Sequence, residues 1–348
     1  MIMSKNLFGY TLKSLTEEMV SIGEKPYRAT QLFQWIYVKK VYDFDLMTDI
    51  SKNFREVLKR DYCLTLPKIF RRQDSKDGTI KLLLEMEDGA KVETVLMRYD
   101  YGNAVCVSSE VGCSMSCAFC ASGLLRKDRN LTSAEMVGEI LTVNKILEEE
   151  GQNVTHIVVM GTGEPFDNYD NVLSFVHIAN EAKGLAIGAR HITVSTCGLV
   201  PGIKKYAEET IQINLAISLH APNDEIRQQI MPIARHYPLD QLMDAVHYYE
   251  SKGGRRVTFE YILLKGINDS KECAIELSKL IRGTFAYVNL IPYNPVKEKP
   301  YERSSEKTIR AFNDELRKRG VNCTIRKEFG TDIDAACGQL RVKVERGK

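Results

Sequence analysis

The stretch Ala104-Val105-Cys106-Val107-Ser108-Ser109-Glu110-Val111-Gly112-Cys113-Ser114-Met115-Ser116-Cys117-Ala118-Phe119-Cys120 joins an apolar run to a loop carrying three cysteines. Ala104 to Ser108 has the composition of a buried strand. Gly112 to Cys120 spells CxxxCxxC, and three thiolates so close together can face one metal centre. A 4Fe-4S cluster normally takes four cysteine ligands, so three on one loop leave an iron open to a substrate or cofactor. The same spacing also suits a structural zinc knuckle with a remote Cys or His as fourth ligand.

Outward from this loop, strand-like runs recur at Val154 to Met160, Ile192 to Thr196, Ile213 to Leu219, Val257 to Leu263 and Tyr287 to Ile291. Helix signals fall between them. Thr132 with Glu135, and Asp269 with Glu272, have capping-box spacing. Repeated β-then-α units with apolar strands imply an α/β fold, a parallel sheet covered by helices. Six units are too few for the eight of a closed barrel, so the expectation is a partial, open (β/α)6 barrel. A doubly wound sheet is the other architecture considered. In either, the site lies where strand C-termini meet the following loops.

The N-terminal part reads differently. Thr11 to Ile22, Pro26 to Lys40 and Ser51 to Arg60 have helix starts and stops. Lys68 to Gln73, Thr79 to Glu85 and Lys91 to Arg98 are strand-like and separated by Asp77-Gly78 and Asp88-Gly89, dipeptides that supply hairpin turns. Residues 1–98 are therefore expected to form an accessory helical and β-hairpin module, and residues 99–348 the core. A length of 348 residues fits about two domains. With 44% apolar and 27% charged residues, disordered, collagen-like and low-complexity chains are excluded. No apolar stretch approaches the ~20 residues of a membrane helix. Lys5, Lys13, Glu17 and Glu18 interrupt any secretory h-region, so a cytoplasmic protein is expected.

Forty-eight basic against forty-six acidic residues give +2, which is no electrostatic footprint of nucleic acid. Nine cysteines, an odd number in a chain without an export signal, argue for metal binding or catalysis rather than a disulfide framework. Cys63, Cys197, Cys273 and Cys323 have no partner motif and read as packed small apolar residues.

Gly161-Thr162-Gly163-Glu164-Pro165 follows the second core strand. Together with CxxxCxxC after the first, it resembles the radical S-adenosylmethionine (radical SAM) superfamily. Val92-Glu93-Thr94, Cys106 to Gly112, Ser195-Thr196, Ser218-Leu219-His220, Asn294-Pro295 and the string FGTDIDAACGQL over 329–340 make it similar to the RNA adenine methyltransferases of the RlmN and Cfr type. These motifs cover the chain from about residue 25 to residue 340.

The resemblance implies that Cys113, Cys117 and Cys120 ligate a 4Fe-4S cluster whose open iron binds SAM, the source of a 5′-deoxyadenosyl radical. Gly163, Glu164, Ser195, Ser218, Leu219, His220 and Asn294 would form the SAM pocket. Read alone, Gly163 fits a tight turn and His220 a hydrogen-bonded structural histidine. Adenine carbons 2 and 8 are not nucleophilic, which is why methylation there calls on radical chemistry. By resemblance, Cys337 accepts a methyl group from one SAM and the radical from a second SAM activates it. Cys106 then frees the RNA by forming a disulfide with Cys337, and Glu93 is the family's proton acceptor. Which of Glu93 and Cys106 takes the ring proton stays open. Without the resemblance, Cys106 is a core thiol and Glu93 a solvent-facing strand residue.

The implied substrates are an adenosine of large-subunit (23S) rRNA and an adenosine beside the tRNA anticodon. The implied electron donor is external, such as flavodoxin or ferredoxin. Pro165 after Glu164 leans toward carbon-2, with a carbon-8-specific Cfr-like enzyme and a zinc-stabilised RNA-binding protein as alternatives. Arg71-Arg72, Arg126-Lys127-Asp128-Arg129 and Arg317-Lys318-Arg319 are candidate phosphate contacts or, equally, solvated faces.

Overall fold

The N-terminal helices begin where the sequence offers caps. Thr11 accepts from the Ser14 amide ahead of Leu12–Ser21, and Ser51 accepts from the Phe54 amide ahead of Lys52–Asp61. The run from Pro26 departs from expectation. An α-helix over Tyr27–Phe33 passes into a π turn at Gln34–Val38, a wider turn that buries Trp35, Ile36 and Tyr37 in succession. The computed structural model describes residues 4–340, so the first three residues of the expected accessory module and the last eight of the expected core lie outside the described residues.

Ten strands form one sheet: β1 (Lys68–Asp74), β2 (Ile80–Glu85), β3 (Lys91–Tyr99), β4 (Gly102–Val107), β5 (Val154–Val159), β6 (Ile192–Thr196), β7 (Asn214–Ser218), β8 (Thr258–Leu263), β9 (Tyr287–Pro292) and β10 (Cys323–Ile325). Neighbours in the sheet are neighbours in sequence. A doubly wound sheet needs a point where strand order reverses, and this sheet has none. Strands β1 to β4 pair antiparallel, and β4 to β10 pair parallel. All six expected parallel strands are present, and β10 adds a short seventh. The hairpin strands belong to the same sheet, because β3 pairs with β4 from Tyr99↔Gly102 to Val95↔Cys106. The hydrogen-bonded sheet thus runs unbroken past residue 98.

Side-chain alternation assigns the two faces. Val105, Val107, Ile157, Val159 and Val194 pack into the main core on the helix side. Ala104 and Cys106 point the other way, into a second apolar cluster with Val95, Met97, Phe329, Ala335 and Leu340. The C-terminal segment therefore lies against the inner face of the sheet.

Thr132 and Glu135 form both halves of the expected capping box at the start of the helix Ser133–Glu148. The second expected box does not form. Ser270 caps Lys271–Leu280, while Asp269 accepts from the Gly266 amide and the Ser304 hydroxyl. No helix among the described residues is long and apolar enough to cross a membrane.

Glu139 ties the Ser133–Glu148 helix to the sheet beside the strand ends. Fully buried, it accepts from the Thr94 hydroxyl and, at 3.1 Å, from the Ser108 amide. Burial raises its pKa well above the usual carboxylate range. An acid held protonated in the fold binds more protons folded than unfolded, so its contribution is complete below the unfolded pKa and erodes as pH rises. Glu139→Gln keeps the acceptor and removes the titration. We expect its melting temperature at pH 8 to exceed wild type by about 2 °C or more, with the gain shrinking toward pH 5. Differential scanning calorimetry at both pH values checks this, and a variant less stable at pH 8 would contradict it.

Candidate functional site

The C-terminal ends of the parallel strands surround a cavity with about 880 Å³ of empty space, its mouth included. Nine of the thirteen residues singled out in the sequence line it: Cys113, Cys117, Cys120, Gly163, Glu164, Ser195, Ser218, His220 and Cys337. The topology dictates this convergence. Each residue sits at the C-terminal end of a parallel strand or in the loop after it, except Cys337, which arrives from the C-terminal segment.

The cysteine loop is held by its backbone. Gly112 adopts φ +78°, and a Cβ there would stand 2.2 Å from the Arg126 carbonyl. Ser116, between two of the cysteines, takes a left-handed φ of 52°. The Ala118 amide donates to the Ile230 carbonyl at 2.8 Å. Cys117 and Cys120 pack against an apolar cluster that includes Phe119, Ile230, Met231 and Tyr293. Burial pushes the Cys113 thiol up to about 12 and the Cys117 thiol higher still. Among the described residues, no three His, Cys, Asp or Glu side chains stand close enough to hold a single metal ion. A cubane puts each thiolate on its own iron and accommodates a wider spread.

Gly163 is required where it stands. It adopts φ +115°, and a Cβ there would meet the Ser109 hydroxyl oxygen at 2.6 Å. Glu164 is buried, with one carboxylate oxygen accepting from the Phe166 amide at 3.0 Å and the other from the Cys197 amide at 2.7 Å. Burial raises its pKa against the pull of these donors. The carboxylate is fixed in orientation and keeps lone pairs for a further donor.

His220 is buried, at a left-handed φ of 57°, with its ring edge-on to Phe119. Its Nδ1 accepts from the Ile262 amide at 3.1 Å. That bond places the single proton of the neutral ring on Nε2, making His220 a donor. Burial, reinforced by the Arg227 charge, lowers its pKa to about 3, so the ring stays neutral.

Four of the singled-out residues do not line the cavity. Leu219 lies in the main core because alternation turns it away from its neighbours Ser218 and His220. Asn294 is buried beside Tyr293, whose hydroxyl donates to the Phe119 carbonyl at 3.5 Å. Cys106 sits in the inner apolar cluster with Ala335. Its thiol is pushed up by burial and then by the Cys337 sulfur, with the Arg326 charge opposing. Glu93 is buried rather than solvent-facing, 3.3 Å from the Lys81 ammonium. All nine cysteines are free thiols, Cys106 and Cys337 included.

The segment carrying Cys337 is moored along its length. The Phe329 ring meets Tyr99 edge-on at 4.5 Å. The Gly330 amide donates to Asp77 at 2.9 Å, and Asp332 accepts from the Ser75 hydroxyl. Lys81 donates to the Asp334 carbonyl at 3.1 Å. The Ala121 amide donates to the Gly338 carbonyl at 2.8 Å, and the Ser122 hydroxyl to the Leu340 carbonyl at 2.9 Å. Lys81 therefore joins Glu93 to the Cys337 segment.

Met160, Cys197, Glu260 and Arg326 also line the cavity and were missed in the sequence. Glu260 had a signal, a carboxylate inside an apolar strand. Asn289 donates to both its oxygens, and Arg326 lies 3.6 Å away. Cys197 reads correctly as a buried thiol, yet it borders the site.

Most side chains of the basic runs are engaged with groups of the chain itself. Lys127 pairs with Glu110 and Asp167, Arg129 with Asp88 and Glu135, Arg319 with Glu315, and Arg72 with Asp74. Arg317 donates to the Cys323 carbonyl.

Residues 5–64 match the family described as "Ribosomal RNA large subunit methyltransferase N-terminal domain", and residues 107–277 match the "Radical SAM superfamily". The "Probable dual-specificity RNA methyltransferase RlmN" of Spiroplasma citri is 57% identical over 340 residues, covering 98% of this chain and 98% of that protein. The chain belongs to the RlmN family of radical SAM enzymes. The relative of the same name from Streptococcus thermophilus is 52% identical, over 97% of this chain and 88% of its own length. A solved structure, "Crystal Structure of a radical SAM methyltransferase from Sphaerobacter thermophilus", superposes with a TM-score of 0.92 at 45% identity, over 97% of this chain and 99% of that one. This RlmN-family chain thus aligns across both its helical N-terminal part and its barrel.

The mooring of Cys337 is open to test. Lys81→Met removes the donor to Asp334 and the ammonium beside Glu93. We expect iodoacetamide to alkylate Cys337 several-fold faster than in wild type, read by peptide mass spectrometry. An unchanged rate would show that Lys81 does not hold the segment.

Proposed function

We propose that this protein methylates carbon-2 of an adenosine in 23S rRNA and of an adenosine next to the anticodon in tRNAs, through a methylcysteine at Cys337 and with two SAM per turnover. One observation carries the reading: Cys337 and the Cys113/Cys117/Cys120 loop line one cavity, with Cys106 in the apolar cluster beside it. Gly163-Glu164-Pro165 favours carbon-2 over carbon-8.

Cys113, Cys117 and Cys120 would hold a 4Fe-4S cluster, a fit supported by three sulfurs facing one cavity. Bound there, the cluster and SAM supply the radical and the methyl group. Glu164 is oriented to accept from the SAM amino group, and His220 offers an Nε2–H donor. Gly163, Ser195, Ser218, Leu219 and Asn294 complete the pocket, Leu219 and Asn294 by framing it. Cys337 carries the methyl group and becomes bonded to the adenine ring. Cys106 attacks the Cys337 sulfur, the bond from that sulfur to the transferred carbon breaks with its electron pair going to the carbon, which takes up a proton to become the methyl group, and a Cys106–Cys337 disulfide forms as the product leaves. Glu93 accepts the ring proton, and its position beside Lys81 supports a charged carboxylate between turnovers. Electrons come from a flavodoxin- or ferredoxin-type donor. The reaction is placed in the cytoplasm, where the rRNA and tRNA substrates reside, and residues 1–98 help to hold the RNA.

Two experiments test this. Cys117→Ala should lose most of its iron and its production of 5′-deoxyadenosine after anaerobic reconstitution. Full iron and undiminished product would remove the triad from its role. Cys106→Ala should accumulate an RNA-linked species on a denaturing gel that nuclease collapses and that disappears in Cys106→Ala/Cys337→Ala. An adduct that survives in the double variant would move the methyl carrier to another residue.

A further inference from the structure

Arg227 lies on the helix Asp224–Ile230, between the cysteine loop and the ends of β6 and β7. Its side chain is completely buried. The guanidinium donates to four backbone carbonyls: Leu219 at 3.2 Å, Tyr237 at 3.3 Å, Cys197 at 2.8 Å and Ser218 at 3.5 Å. The chain makes room for it. Gly198 adopts φ +104°, and a Cβ there would stand 2.9 Å from Arg227 Nη2. Among the described residues, no carboxylate forms an ion pair with this guanidinium. Asp224, on the same helix, acts on it from farther away and is engaged with the Leu239 amide at 3.0 Å.

Carbonyl dipoles satisfy the hydrogen-bonding of an arginine but leave its charge uncompensated, and a buried, unpaired cation is expensive. What adjoins it is the cysteine loop. The Ala118 amide is bonded to the Ile230 carbonyl at 2.8 Å, and Ile226, Ile230 and Met231 pack in one apolar cluster with Cys117, Cys120 and Cys197.

We propose that Arg227 is the buried counter-charge of an anionic iron–sulfur cluster on Cys113, Cys117 and Cys120, favouring both retention of the cluster and its reduced form. This rests on the cluster reading above. Every thiolate brings a negative charge and each added electron another, so a fixed cation behind the loop raises the reduction potential. The residue acts through the field and touches neither SAM nor RNA.

The test uses the full chain reconstituted anaerobically with iron and sulfide, as wild type, Arg227→Gln, Arg227→Lys and Asp224→Asn. Iron analysis and an EPR-monitored redox titration are the readouts. Arg227→Gln should shift the midpoint potential to more negative values and leave several-fold less reduced cluster at the wild-type midpoint. Arg227→Lys should stay near wild type, and Asp224→Asn, which removes an opposing charge, should shift the potential upward. A glutamine variant that loses iron while the lysine variant keeps it also supports a charge role. The proposal is overturned if Arg227→Gln holds full iron at an unchanged potential, or if both Arg227 variants lose iron alike. Should Arg227→Gln fail to fold, Asp224→Asn decides, and an unmoved potential there overturns it. Wild-type protein that takes up no iron would instead overturn the cluster reading itself.

Discussion

The bond from the Ala121 amide to the Gly338 carbonyl, 2.8 Å long, joins the residue after Cys120 to the residue after Cys337. Two cysteine sites far apart in sequence are thereby brought to one cavity, and much of the fold contributes to that placement. The parallel strands deliver the Cys113–Cys120 loop to their C-terminal edge. The hairpin strands β1 to β3 extend the same sheet and, through Asp77, Ser75 and Lys81, guide the C-terminal segment along its inner face. Apolar packing of Phe329, Ala335 and Leu340 against Val95, Met97 and Cys106 supplies the driving force.

Burial then sets the electrostatics. Thiols and carboxyls around the cavity are held toward their neutral forms because charge is costly there, as Cys117, Glu164 and Glu260 show. Two arginines counter this: Arg227 behind the cysteine loop, and Arg326 among Cys337, Glu260, Tyr99 and Cys106. A cavity lined by sulfurs, with Arg326 in its wall and Arg227 behind the cysteine loop, suits anionic sulfur chemistry.

Much of this was legible in the sequence, for identifiable reasons. The six core strands are long enough to show apolar continuity, and CxxxCxxC and Gly161 to Pro165 are local strings that need no tertiary partner to be read. Legibility failed where three-dimensional context decides. Strand β10 is three residues long, too short for periodicity to register, and the π turn at Gln34–Val38 follows from packing of consecutive bulky side chains. The expected capping box at Asp269 does not form because Ser270 took the cap. Leu219 reads as part of a motif, yet strand alternation turns its side chain into the core. Arg227 and Arg326 carry no local signal at all, since their partners come from other strands and loops, whereas the lone carboxylate of Glu260 in an apolar strand was a signal available to be read.

The proposed function turns on whether Cys337 carries the methyl group before RNA is touched. The most direct measurement is peptide mass spectrometry of the reconstituted protein after incubation with methyl-labelled SAM and a reductant, without RNA. One labelled methyl group is expected on the Cys337 thiol and none on Cys106. Label on another residue, or a Cys337 peptide that stays unmodified while methylated RNA forms on its addition, would contradict it.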